Sequence, residues 1–156
     1  MISTSCEYGM QATVYLAAAG SREYVPIRQI GADLDLSEAF LAKVLQTLKQ
    51  AGLVISRRGP KGGVALAQPA DAITLKDIII ALDGDALFTR CVMGLPGCGT
   101  ATPCPMHESW HDVRGHLTTL LADLTLSRVA VDAYPQLRSA GRLKRPRPLD
   151  SLASLP

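Results

Sequence analysis

Leu53-Val54-Ile55-Ser56 and Val64-Ala65-Leu66-Ala67 are two short β-prone runs separated only by Arg57-Arg58-Gly59-Pro60-Lys61-Gly62-Gly63. A connector this rich in glycine and proline neither extends the strands nor starts a helix, so the runs must fold back as a hairpin. What precedes the hairpin narrows the fold. Cys6 to Ala19 is apolar with helical spacing and stops at Gly20. Pro26 suits the start of a short second helix, with Ile27, Ile30 and Leu34 as its inner face. Ser37 is an N-cap for a third helix, in which Leu41, Val44, Leu45 and Leu48 share one face and Gly52 ends the run. Three short helices and then a basic hairpin is the order of a winged helix-turn-helix, whose third helix enters the major groove while the wing follows the backbone. The expected fold class is mainly α with a small β-hairpin, the winged helix-turn-helix occupying residues 1–70.

Charge supports that reading. The net charge is only +2, but Lys43, Lys49, Arg57, Arg58 and Lys61 fall in a stretch without an acid, as do Arg138, Arg142, Lys144, Arg145 and Arg147. The other six of the 16 basic residues share the rest of the chain with all 14 acidic ones. Two basic patches on an acidic body suit a polyanion held at a defined surface. Ser37, Ala42, Lys43, Gln46 and Lys49 on the third helix, with Arg57, Arg58 and Lys61 on the wing, are the candidate contacts to double-stranded DNA. A charged hairpin can also be a plain solvated turn; the basic face of the third helix beside it favours phosphate contact.

Downstream, Thr74-Leu75-Lys76-Asp77 has capping-box spacing and starts a helix through Leu82, within a connecting segment 71–90. Residues 91–105 hold Gly94, Pro96, Gly97, Gly99, Pro103 and Pro105 and cannot be regular structure. A long helix is expected over 106–131, on which Trp110, Val113, Leu117, Leu120, Leu121 and Leu124 form an apolar seam. A seam of that length on a terminal helix, with little chain left to cover it, predicts a homodimer. Residues 132–156 are Pro- and Arg-rich and are expected to be a flexible basic tail. The N-terminus lacks a signal-peptide pattern and no run approaches a membrane span, so a cytoplasmic protein with no membrane partner is expected.

In a reducing compartment, clustered cysteines point to metal or redox chemistry rather than structural disulfides. The constellation is Cys91-x6-Cys98-x5-Cys104-x2-His107. Soft thiolates with an imidazole suit an iron-sulfur cluster or zinc, and the wide spacing, without a tight C-x2-4-C knuckle, favours the larger cluster. Three incidental thiols are the plain alternative, although buried cysteines usually sit in apolar elements rather than in a Gly/Pro loop. Cys6, alone on an apolar helix, reads as a core residue, His111 and His116 as solvated surface, and Glu7 as a competitor for the fourth ligand position.

Glu7-Tyr8-Gly9, Leu36-Ser37-Glu38-Ala39-Phe40-Leu41, Gly52-Leu53-Val54, Arg58-Gly59-Pro60-Lys61-Gly62-Gly63 and the three-cysteine loop together resemble the Rrf-two family of bacterial transcription regulators over residues 1 to 131. The resemblance is to its IscR-like branch first and its NsrR-like nitric oxide sensors second. It implies a homodimer with crossed long helices, and operator affinity that depends on a cluster beside the reader domain. Cys91, Cys98, Cys104 and His107 match the ligand positions of the branch that binds [2Fe-2S]. The first gap is one residue longer than usual there, and Val64 stands where an aromatic is common. The nitric oxide sensors use an aspartate near the N-terminus, where this chain has Glu7 and Tyr8, so [2Fe-2S] is favoured over [4Fe-4S].

The function expected is therefore a dimeric, non-enzymatic regulator of a near-palindromic operator, controlled by a cluster that senses iron, redox or nitric oxide status. A metal-free thiol switch is the alternative. A redox enzyme or electron carrier would need a nucleotide loop, a nucleophile-base pair or a flavin signature, and none is found.

Overall fold

The computed structural model describes residues 2–20, 23–95 and 104–139. Its organising element is α1 (Thr4–Ala19), started by Ser3, whose side chain accepts from the Cys6 amide at 3.1 Å. Small side chains along α1 (Gly9, Ala12, Ala17, Ala18) let neighbours approach from several sides, and Tyr15, Leu16 and Val14 fill the spaces between. At Gly9 a Cβ would stand 2.3 Å from Leu82 Cδ1 and 3.3 Å from Val44 Cγ1, so side chains from the third and fourth helices pack directly over this position.

The helix-turn-helix follows as α2 (Ile27–Leu34) and α3 (Glu38–Gln50), turned at Asp35, whose φ of 59° is left-handed. Leu41, Val44, Leu45 and Leu48 are all buried, the face expected from their spacing. A polar tie crosses this core: the Tyr15 hydroxyl donates to Asp33 Oδ2 at 2.6 Å, joining α1 to α2, and Asp33 is only 2% exposed.

The wing is β1 (Val54–Arg57) paired antiparallel with β2 (Gly63–Leu66), in register Val54↔Leu66 through Arg57↔Gly63. Sequence spacing did not show that β2 has a second neighbour. Val25, in the α1–α2 connection, bridges Val64 with amides donated both ways at 2.9 Å. That approach requires glycine: a Cβ on Gly63, whose φ is +148°, would lie 2.3 Å from the Val25 carbonyl oxygen.

A single 3-10 turn (Ala70–Ala72) leads to α4 (Leu75–Asp83), which begins with the expected reciprocal capping box between Thr74 and Asp77. A further short helix, α5 (Ala86–Thr89), ends just before Cys91. The single helix expected over 106–131 is replaced by two, α6 (His107–Asp123) and α7 (Leu126–Ser139). The cause is a backbone exchange at the junction: the Leu75 amide donates to the Leu124 carbonyl, the Leu126 amide donates to the Ile73 carbonyl, and Thr125 bridges Thr74. The start of α4 thus takes hydrogen bonds that would otherwise have run along one helix. Past this break α7 turns back onto α1, burying Leu126, Ala130 and Tyr134. The expected flexible tail from 132 is therefore folded at its start, with Tyr134 1% exposed in the core; the basic residues Arg142, Lys144, Arg145 and Arg147 lie outside the described residues.

By contrast, α6 buries none of its residues. Val113 and Leu120 of the apolar seam are 54% and 56% exposed, while Trp110, Leu117, Leu121 and Leu124 are half-buried. Among the described residues no helix is long and apolar enough to cross a membrane.

Candidate functional site

On the reader surface, α3 presents Lys43, Gln46 and Lys49 to solvent, with Ala42 half-buried beside them. Ser37 is exposed at the helix start and accepts from the Phe40 amide at 3.5 Å, which leaves its O–H able to donate outward. Lys49 Nζ donates to Ser56 Oγ at 2.6 Å, so the end of α3 is tied to the first wing strand. At the wing tip Gly62 N donates to Gly59 O at 2.8 Å, closing a turn with Pro60 inside it, and Arg58 and Lys61 project as exposed cations. Arg57 behaves differently. Its guanidinium lies 4.4 Å from the centroid of the Tyr24 ring and donates to the Lys61 carbonyl at 2.8 Å. The eight residues expected to meet DNA thus lie on α3, its N-cap and the adjoining wing, and Tyr24, which sequence spacing did not single out, joins them through the α1–α2 connection.

The second constellation begins where α5 ends. Cys91 is half-buried, and the Cys91 carbonyl accepts from Gly94 N at 3.0 Å in a turn. Cys104 is half-buried immediately before α6, and its carbonyl accepts from the His107 amide at 2.9 Å. The two ends of the loop are held by a clamp. Trp110 Nε1 donates to Arg90 O at 2.9 Å, and Arg114 donates to Thr89 O at 2.8 Å and Arg90 O at 3.1 Å. A cationic donor on the last carbonyls of α5 satisfies groups that the helix leaves open. Arg114 was legible in principle, since it stands four residues after Trp110 and so shares its helix face.

Beside Cys91 is a cavity of about 350 Å³ lined by Ile2, Ile79, Asp83, Leu87, Arg90 and Trp110 among others. Asp83 accepts from the Ser3 amide at 2.7 Å and from the Ser3 hydroxyl, fastening the start of α1 to the end of α4. Cys6 is fully buried, as expected, and burial together with the Asp83 carboxylate pushes its thiol up to about 12. Glu7, His111 and His116 are exposed. Cys98 lies outside the described residues, and among the described residues no three His, Cys, Asp or Glu side chains converge as a metal site. The donor chemistry of Cys91, Cys104 and His107, two soft sulfurs and an imidazole flanking one glycine- and proline-rich loop, fits an iron-sulfur centre.

Residues 2–132 match the Rrf2 family, described as iron-dependent transcriptional regulators. The chain belongs to the Rrf2 family. Among relatives of this Rrf2 protein, the transcriptional regulator IscR of Vibrio cholerae is 30% identical over 131 residues, covering 84% of this chain and 75% of IscR. IscR of Photorhabdus laumondii is 30% identical over 141 residues, covering 90% and 85%. In three dimensions the fold is similar to CymR, the global cysteine regulator of B. subtilis, with a TM-score of 0.70, 30% identity and coverage of 84% and 96%. It is also similar to T. potens IscR, with a TM-score of 0.65, 26% identity and coverage of 95% and 93%. Family membership makes this Rrf2 chain a non-enzymatic, DNA-binding transcriptional regulator with a winged helix-turn-helix reader.

Proposed function

We propose that this Rrf2 regulator controls operator affinity through an iron-sulfur cluster held by Cys91, Cys98 and Cys104, with His107 as fourth ligand and [2Fe-2S] favoured over [4Fe-4S]. The observation that carries the proposal is the clamp of Trp110 and Arg114 on the carbonyls of Thr89 and Arg90. It fastens Trp110 and Arg114 of α6 to the last two residues before Cys91, which supports a reading in which both flanks of the cysteine loop serve one centre. Likeness to IscR proteins and the iron-dependent description of the family support the same reading. When bound, the cluster supplies a centre whose charge and integrity respond to iron, oxidants or nitric oxide. The chain's own residues connect that loop to the reader: α5 follows α4 through Asp83 and Gly84, and Asp83 holds Ser3 at the head of α1.

DNA engagement in this reading uses Ser37, Ala42, Lys43, Gln46 and Lys49 from α3 and the wing cations Arg58 and Lys61, with Arg57 supporting them. Two copies, joined through Trp110, Val113, Leu117, Leu120 and Leu121 of the two α6 helices and Leu124 at their C-caps, would read a near-palindromic operator in the cytoplasm. The residues 1–70 form the reader, 71–90 the connector, 91–105 the sensing loop and α6 the dimer contact.

Anaerobic purification followed by iron analysis and visible absorption tests the cluster. Iron and charge-transfer bands that vanish in Cys91→Ala and Cys104→Ala are expected. Iron-free protein that binds its operator normally and answers to oxidants would instead establish the thiol switch, a second reading favoured by similarity to the B. subtilis cysteine regulator CymR and to Staphylococcus aureus CymR in an oxidized form.

A further inference from the structure

Arg57 and Arg58 are neighbours in the wing, and as bare sequence they are equivalent cations. Their surroundings differ. All three wing cations, Arg57, Arg58 and Lys61, are exposed, and they differ in what they touch. Arg57 is engaged twice: its guanidinium stands over the Tyr24 ring at 4.4 Å, and it donates through one nitrogen to the Lys61 carbonyl at 2.8 Å. The ring belongs to the α1–α2 connection, immediately before Val25, and Val25 is bridged to Val64 of the opposite wing strand. The Lys61 carbonyl belongs to the wing turn itself. A planar guanidinium can stack on a ring and donate in its own plane at the same time, which an ammonium cannot do with the same geometry. Arg57 therefore closes a ring of contacts running from the α1–α2 connection across the wing: Tyr24 to Arg57, Arg57 to the Lys61 backbone, and Val64 back to Val25.

We infer that Arg57 is a wing-positioning residue, engaging both the Tyr24 ring and the Lys61 carbonyl, whereas Arg58 and Lys61 carry the wing's phosphate contacts. The inference rests on the reading of the wing as a DNA contact. Its consequence is that the hairpin stands at a set angle to α3 before DNA arrives, so the backbone that carries Arg58 and Lys61 needs no ordering on binding and only their side chains do. The tie between Lys49 and Ser56, the neighbour of Arg57 on the same wing strand, acts in the same sense.

Counterion release separates the two roles. A residue that neutralises a phosphate contributes about 0.9 to the slope of log K against log salt, while a residue that only positions others leaves the slope in place. The test uses full-length protein and a fluorescent duplex that this protein selects from a random-sequence pool, with affinity measured across a salt series. Arg58→Gln and Lys61→Gln are each expected to flatten the slope by about 0.9. Arg57→Gln is expected to weaken binding about tenfold, the scale of one cation-π contact with one hydrogen bond, at unchanged slope. Tyr24→Leu should reproduce it, the double variant should bind no more weakly than either single one, and Tyr24→Phe should bind as wild type. Arg57→Lys, which keeps the charge but not the fork, should fail to restore affinity. Thermal melts of all variants exclude global unfolding as the cause. A flattened slope in Arg57→Gln that Arg57→Lys restores would overturn the inference. Unchanged slopes in both Arg58→Gln and Lys61→Gln would instead reject the wing as a phosphate contact, and the inference with it.

Discussion

Trp110 Nε1 donates to the carbonyl of Arg90 at 2.9 Å, so the first turns of α6 are fastened to the residue just before Cys91. The apolar seam expected on α6 counted Trp110 as a dimer residue; its polar edge is bonded within its own chain, to the residue before the cysteine loop. Trp110→Phe keeps an aromatic ring, smaller than the indole, and removes the donor, while Arg114 still reaches the same carbonyl at 3.1 Å. A loss of about 1 kcal/mol is expected, seen as a fall of about 2–4 °C in melting temperature. Iron retained after anaerobic desalting should fall as well, and unchanged retention would separate the clamp from the sensing loop.

Gly63→Ala should damage the wing far more than Gly59→Ala. At Gly63 the new Cβ meets the Val25 carbonyl oxygen at 2.3 Å, so the Val25–Val64 bridge must open. At Gly59, where φ is +107°, nothing lies within 4 Å and only backbone strain remains. Chemical denaturation is expected to show a loss of about 3 kcal/mol for Gly63→Ala and about 1 kcal/mol for Gly59→Ala. Equal losses would mean that the bridge contributes nothing.

Tyr134→Ala tests whether the chain beyond 131 is part of the fold. A side chain 1% exposed and packed in the main core should cost about 3–5 kcal/mol on truncation, read from urea denaturation. A flexible tail would lose nothing.

Cys6 predicts a pH dependence. Its thiol is held up near 12 in the native chain, against 9.0 for an ordinary cysteine. Below pH 9 both states keep the proton and stability is unaffected. Between pH 9 and 12 the unfolded chain loses a proton that the native chain retains, so stability falls, by at most about 1.4 kcal/mol per pH unit. Urea denaturation at pH 8 and pH 10 should show a larger decline for wild type than for Cys6→Ala, and identical declines would refute the assignment.

Much of this architecture is legible in local sequence. The buried stripe of Leu41, Val44, Leu45 and Leu48, the Ser37 cap, the Thr74–Asp77 capping box and the hairpin all follow from interactions that span a few residues, where periodicity and side-chain chemistry decide. The candidate DNA surface is legible for the same reason, because the exposed face of a helix is the complement of its buried one. So is the cysteine constellation as a set of donors, although spacing alone leaves open what they hold.

Tertiary structure decided what depends on partners distant in the chain. The helix expected over 106–131 breaks at Leu124 because Ile73 and Leu75 exchange backbone hydrogen bonds with that junction, and no local pattern within 106–131 encodes that competitor. Tyr134 enters the core only because the break lets α7 fold back onto α1. Arg57 and Arg58 are interchangeable as letters and differ only because Tyr24, more than thirty residues earlier, stands beneath one of them. Composition and periodicity thus determined the elements of the reader and which of their faces are wet, while long-range hydrogen bonds and close backbone approach decided where the later helices break and what each charged group touches.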